Sequence, residues 1–245
     1  MTKPLPRFVC ATILFLIAAA PPTANAASAP APIDPEFNTV MVPPAQTASP
    51  IPVKVGIYIL NLVSLDEVEQ TFSCTGYLAE TWNDPRLAFT PQPGESRLRF
   101  YRKTDIWFPL LQFDNSTSPR RLSSYLLTGS SDGTVSYSEK FAVSLSSNMQ
   151  LRAFPFDSQD LQIVVHPFTN QQGGILLRAD PARTGISSAS YTPLPLWHTG
   201  TVRFRAALSQ SAEGSQGGQY HVTFQIRVVR NSEYYIYRIF LPLAL

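Results

Sequence analysis

The sequence predicts an all-β chain, an immunoglobulin-like antiparallel β-sandwich of about ten strands. Three observations carry that expectation. Apolar and polar residues alternate with period two in separate runs, as in Val53, Val55, Ile57, Ile59 and in Tyr220, Val222, Phe224, Ile226, Val228. Turn formers punctuate the chain between these runs, with 22 prolines and 12 glycines among 245 residues. No stretch holds a helical period, and many short strands at this spacing are the pattern of a two-sheet sandwich.

Before the first strand, Lys3 and Arg7 precede an apolar run at residues 8–20, and Ala24-Asn25-Ala26 supplies small residues for a peptidase. This predicts a secretory signal peptide over residues 1–26, shorter than the ~20 apolar residues of a spanning helix. The mature chain is therefore expected to be exported. Residues 27–52 are rich in Pro, Ala, Ser and Thr without an apolar period, which predicts a flexible arm ahead of a β-sandwich at 53–235.

The first strand begins at Val53 and ends at the acidic bend Ser64-Leu65-Asp66-Glu67. A second places Phe72, Cys74 and Leu78 on one face and Ser73, Thr75 and Tyr77 on the other, so Tyr77 points away from the core. Pro85, Pro91, Pro93 and Gly94 make residues 84–105 loops and short strands. Residues 106–113 are too apolar to alternate and predict a buried strand ending in the turn Asp114-Asn115. Ser130-Ser131-Asp132-Gly133 lies between two strand-like runs, and Asp-Gly there is a hairpin signal.

Next comes Phe154-Pro155-Phe156-Asp157-Ser158-Gln159. Proline fixes its own φ and pushes the preceding residue toward extended geometry, giving a stiff protruding loop with two aromatics and an acid, built to meet a partner surface. Leu161, Ile163 and Val165 then alternate into His166-Pro167-Phe168. Residues 170–200 read as irregular, with Trp197 a core anchor. A strand with Val202, Phe204, Ala206 and Leu208 leads to a glycine-rich tip at 211–219 and the last strand. Residues 236–245 are apolar apart from Tyr237 and Arg238, half the length of a membrane span.

Composition excludes several functions. A net charge of +2 with 15% charged residues and no basic stripe argues against nucleic acid. Cys10 falls in the leader and Cys74 stands alone, so Cys74 reads as a small buried apolar residue. His166, His198 and His221 lack metal-ligand spacing, and no Gly-x-Ser-x-Gly, phosphate loop or paired-cysteine knuckle occurs. No enzyme, metal or cofactor is expected; the chain reads as a binding module.

Phe154-Pro155-Phe156-Asp157-Ser158-Gln159 is accompanied, in order along residues 50–245, by several further motifs. Thr71-Phe72 precedes Trp82-Asn83-Asp84-Pro85-Arg86-Leu87, followed by Ile106-Trp107-Phe108-Pro109 and Asp132-Gly133-Thr134-Val135. Pro167-Phe168 comes next, and Tyr234-Tyr235 runs into Leu241-Pro242. This set resembles the extracellular ligand-binding domain of the pentameric ligand-gated ion channels, the Cys-loop receptor superfamily. The two cysteines that name the loop in animal receptors would fall on Ser147 and Leu161, and their absence is the pattern of bacterial members.

The resemblance implies a homopentamer that binds a small ligand between neighbours in an aromatic box. Phe168, Phe204 and Tyr220 would form one wall, with His166 beside Phe168, and Tyr77 would come from the neighbouring chain. Rings of this kind suit a small amine. His166 stands where amine-binding relatives would carry an acid, and Asn61 and Gln70 are neutral where a proton-gated member would use carboxylates. The resemblance further implies a coupling cluster of Asp157, Glu67 or Asp66, and Arg230, with Pro155 and Phe156 bearing on the pore domain. Residues 236–245 would open the first transmembrane helix of a chain cut at that point, with this domain on the periplasmic face of the inner membrane. A secreted pentamer without a pore is the alternative.

Overall fold

The computed structural model describes residues 42–44, 50–168, 174–187, 194–209 and 219–244. The expected leader, most of the arm and the glycine-rich tip at 211–218 lie outside them. The strands are β1 (Ile51–Asp66), β2 (Thr71–Asn83), β3 (Leu98–Phe100), β4 (Leu111–Phe113), β5 (Arg121–Ser130) and β6 (Thr134–Ser146). They continue as β7 (Ser158–Pro167), β8 (Ile175–Ala179), β9 (Gly185–Ile186), β10 (Trp197–Ser209) and β11 (Gln219–Arg230).

Two sheets result. One has the order β3-β5-β6-β2-β1-β8, with β9 also on β1; the other has the order β10-β11-β7-β4. Most pairs are antiparallel, as expected, but β8 and β9 run parallel to β1. The chain leaves β7 in one sheet and arrives at β8 in the other, so no hairpin dictates an antiparallel neighbour there.

The alternation read from the sequence is the packing. Val53, Val55, Ile57 and Ile59 of β1 are fully buried, as are Leu161, Ile163 and Val165 of β7 and Val222, Phe224, Ile226 and Val228 of β11. These inner faces interdigitate with Phe72, Leu78, Trp82, Phe141 and Leu145 into one core. Cys74 belongs to it, and burial pushes its thiol up to about 12. Register shifts between Ile59 and Asn61 and between Leu62 and Ser64 mark bulges in the β1–β2 pair.

The β5–β6 hairpin closes as Asp132-Gly133 predicts. Gly133 has φ +83°, and Asp132 Oδ1 accepts from the Thr134 N–H at 2.9 Å. The expected strand at residues 106–113 is shorter, because only Leu111–Phe113 is extended and paired. Pro109 has no N–H to give a ladder. Ile106 and Trp107 are buried all the same, with Trp107 set edge-on to Trp82 at 6.0 Å.

After β11 the chain turns helical, through Ser232–Tyr235, the wider-turned Ile236–Phe240 and Leu241–Ala244. Among the described residues no helix is long and apolar enough to cross a membrane. Tyr237, Ile239, Phe240 and Leu241 expose much of their apolar surface.

Candidate functional site

At one end of the sandwich, the β1–β2 turn, the 151–157 loop and the end of β11 meet around one guanidinium. Arg230 is only 3% exposed. Its Nε donates to Asp157 Oδ1 at 2.5 Å, its Nη2 to Asp157 Oδ2 at 3.0 Å, and its Nη1 to Glu67 Oε1 at 2.7 Å and Tyr235 Oη at 3.2 Å. The fork matches the carboxylate, which is the geometry of strong charge-assisted pairs. The plane also lies 4.2 Å over the Trp197 ring and 4.9 Å over Phe154. Burial pushes the Asp157 carboxyl up, but the bonds from Arg230 and Gln159 outweigh it and hold the group below the usual carboxylate range. The Arg230 pKa is raised, as burial is overcome by its bonds to Asp157, Glu67 and Tyr235.

This is a joint between elements far apart in sequence. Gln159 braces it, donating from Nε2 to Asp157 Oδ2 at 2.6 Å and to the Gln150 carbonyl at 2.9 Å. Gln70, with φ 55°, accepts from the Met149 N–H at 2.6 Å and so ties the β1–β2 turn to the loop above. Of the two acids expected at that turn, Glu67 reaches Arg230, while Asp66 caps the turn by accepting from the Val68 and Glu69 N–H groups, each at 2.9 Å.

The proline loop presents a divided surface. Pro155 is buried, Phe156 is 70% exposed at the tip, and Phe154 lies edge-on to Tyr235 at 4.8 Å. The protruding aromatic, the joint and the start of the C-terminal helical stretch therefore adjoin one another.

The expected ligand residues fall on both sheets. Tyr77 is on the outer face of β2, half-exposed, with Tyr58 and Lys140 as its cross-strand partners. Phe168 follows β7 and is exposed, its N–H donating to the Leu110 carbonyl at 2.7 Å. Phe204, on edge strand β10, is half-exposed opposite buried Phe224, and Tyr220 packs partly against the core. His166 Nε2 lies 2.7 Å from the Gln112 amide nitrogen and 3.5 Å from Asp114. Phe168, Phe204, Tyr220 and His166 share the four-stranded sheet, whereas Tyr77 belongs to the other. Among the described residues no ring contact joins Tyr77 to the other three aromatics.

Sequence reasoning passed over Lys140 and Arg121. Both line a cleft of about 280 Å³ on the outer face carrying Tyr77, with Asn61, Thr75 and Ser123. The signal was available, since Lys140 has outward parity on β6 between Glu139 and Phe141. Tyr235 and Gln159 stand within the sequence motifs, but their bonds to the joint depend on a fold that brings residues 67, 157 and 230 together.

Known proteins resemble this chain in sequence. The profile described as neurotransmitter-gated ion-channel ligand binding domain matches residues 33–232. Over 148 residues the chain is 34% identical to a proton-gated ion channel of Gloeobacter violaceus, covering 60% of this chain and 41% of that protein. It is 33% identical over 137 residues to the gamma-aminobutyric acid receptor subunit rho-2 of Homo sapiens, 52% of this chain and 29% of the relative. To the beta-4 subunit of Gallus gallus it is 21% identical over 198 residues, 79% and 40% of the two chains. The chain thus spans about two fifths or less of the length of these relatives, which are channels and receptor subunits rather than enzymes. A match over most of its length establishes that the chain belongs to the neurotransmitter-gated ion-channel ligand-binding domain family of the Cys-loop pentameric channels.

Proposed function

We propose that this chain is the extracellular sensor of a bacterial pentameric ligand-gated channel. Five copies form a ring, and a small ligand sits in each seam between Phe168, Phe204 and Tyr220 of one copy and Tyr77 of the next. The leader at 1–26 directs export, the arm at 27–52 precedes the sensor at 53–235, and residues 236–245 begin the first transmembrane helix of a longer protein in the inner membrane. The placement of Tyr77 on the sheet opposite the other aromatics supports a shared seam, in which a neighbouring copy brings Tyr77 to them.

The ligand is a small amine that also bears an acid group. Aromatic faces attract the ammonium at roughly 0.5–2 kcal/mol per ring. Lys140 and Arg121, on the face bearing Tyr77, supply the complement for a carboxylate. A compound with both groups fits this pair of walls, as does the γ-aminobutyric acid in the names of several relatives.

The observation that carries the signalling half of the reading is the buried Arg230 fork beneath an exposed Phe156. Ligand favours one arrangement of the sandwich, and the joint couples the β1–β2 turn, the proline loop and the helical stretch so that they move together. The test is current through the channel in which this domain is joined to its pore. Arg230→Ala should strongly reduce ligand-evoked opening while ligand occupancy stays near that of the unmodified channel. Unchanged currents would reject the assignment.

A further inference from the structure

Away from the Arg230 joint, the sandwich buries a pair of acids, Glu80 and Glu139. Glu80 of β2 is 2% exposed, on the inward face with Leu78 and Trp82, and its Oε2 has no hydrogen-bond partner among the described residues. Across the β2–β6 ladder Tyr137 pairs with Glu80 and Glu139 with Leu78. Glu139, also 2% exposed, is thus a diagonal neighbour on the same inner face.

The charged groups facing this pair of carboxyls are Arg120, from the loop after β4, and Lys103, from the loop after β3. Both are committed to Glu139. Arg120 Nε lies 2.9 Å from its Oε1 and Lys103 Nζ 3.9 Å from its Oε2, to which the Tyr137 hydroxyl also donates. Lys103 is held further by the Tyr137, Tyr125 and Phe108 rings at 4.8, 4.9 and 5.3 Å. Glu80 is left without an ion partner, and a buried acid in that position neutralises rather than remain charged. Burial first, then repulsion from Glu139, pushes its carboxyl well above the usual range, against the opposing pull of Arg120 and Lys103.

Arg120 connects this pair to the other sheet. Its Nη2 donates to the Leu111 carbonyl at 3.1 Å and its guanidinium covers the Phe113 ring at 4.9 Å, so it pins β4. β4 pairs with β7, and the adjoining Leu110 carbonyl accepts from the Phe168 N–H at 2.7 Å. We infer that Glu80 carries a proton at neutral pH, and that its loss disturbs the Glu139–Arg120 pin, loosens β4 and shifts the backbone seat of Phe168. A second negative charge beside Glu139 competes for Arg120 and Lys103 and draws water into the core. The effect on ligand binding rests on reading Phe168 as a ligand contact; the proton and the pin do not.

The folded chain holds this proton more tightly than the unfolded one. Glu80's contribution is therefore complete below the unfolded carboxyl value of about 4.3 and fades as pH rises through the raised folded value. The experiment compares the unmodified chain with Glu80→Gln from pH 4 to pH 9, by thermal unfolding and by amide hydrogen exchange at 110–113 and 166–168. The two should coincide at pH 4. At the alkaline end Glu80→Gln should melt several degrees higher and exchange more slowly in those two segments than the unmodified chain at the same pH. Profiles that stay parallel overturn the inference. Should Glu80→Gln fail to fold, the infrared spectrum of the unmodified chain at pH 7 decides: a protonated-carboxyl carbonyl band supports the inference and its absence overturns it. If Phe168→Ala leaves ligand affinity unchanged while these signals persist, the ligand-site reading fails and the pin stands.

Discussion

Arg230→Ala removes the group on which the basal joint converges, and its cost can be worked from the bonds. Asp157 is 3% exposed and receives two of its charge-assisted bonds from Arg230, keeping Gln159 and a backbone N–H when the guanidinium goes. Breaking a buried pair from one side costs ~3–5 kcal/mol, most of it from the stranded partner. The lost stacking on Trp197 adds ~0.5–2 kcal/mol. Glu67 is a quarter exposed in its side chain and contributes less. A total of about 5 kcal/mol (roughly 3.5–7) is a large part of the ~5–15 kcal/mol that holds an ordinary domain together.

The assay is denaturant unfolding followed by tryptophan fluorescence at pH 7. Because the cost comes from a stranded carboxylate, the double substitution Asp157→Asn with Arg230→Ala should be more stable than Arg230→Ala alone, by about 1–3 kcal/mol. Acid should act through the same carboxyl. Its folded pKa is lowered, so its contribution is present above the unfolded value of about 3.9 and is lost as pH falls through the folded one. That loss should be missing from Asp157→Asn. A cost below ~1 kcal/mol for Arg230→Ala, the range of an exposed pair, or a double variant no better than the single, would refute the buried-joint reasoning.

Two further outcomes follow from the packing. A Cβ at Gly76 would stand 2.6 Å from the Tyr58 carbonyl oxygen and 3.3 Å from Ile59 Cα, so Gly76→Ala should destabilise the chain by ~1–3 kcal/mol in a thermal melt, and an unshifted melting temperature would contradict the β1–β2 register. Cys74 is 1% exposed with its thiol pushed up to about 12, so it should resist alkylation at pH 8 until the chain unfolds, and labelling of the folded chain at the rate of a free thiol would count against the core assignment.

The strands were legible where one face is buried and the other wet, because period two then writes itself into the sequence, as in β1, β2, β7 and β11. β8 escaped notice. Ile175-Leu176-Leu177 is a short apolar run without clear alternation, inside a stretch otherwise rich in Gly, Ser and Pro, and its partner β1 is far away in the chain. The strand at residues 106–113 was read too long because its apolar residues are buried without being paired, a distinction hydrophobicity does not carry. At the joint, the resemblance to the ligand-gated channels implied Asp157, Arg230 and either Glu67 or Asp66. Choosing Glu67 over Asp66 needed the turn itself, since adjacent acids point to different places and only one reaches Arg230. The Glu80–Glu139 pair was hidden for a related reason: inward parity at positions 80 and 139 does not say which acid is paired, and only the folded core shows that Arg120 and Lys103 make their ion pairs with Glu139.

The shared seam is tested most directly by mixing two defective chains. Tyr77→Ala and Phe168→Ala are each expected to weaken ligand binding, one from either side of the seam. In rings assembled from equal amounts of both, about one seam in four should join an intact Tyr77 to an intact Phe168 and bind at the unmodified affinity. If the mixed rings bind no better than either variant alone, the two residues do not meet across a seam and the account is wrong.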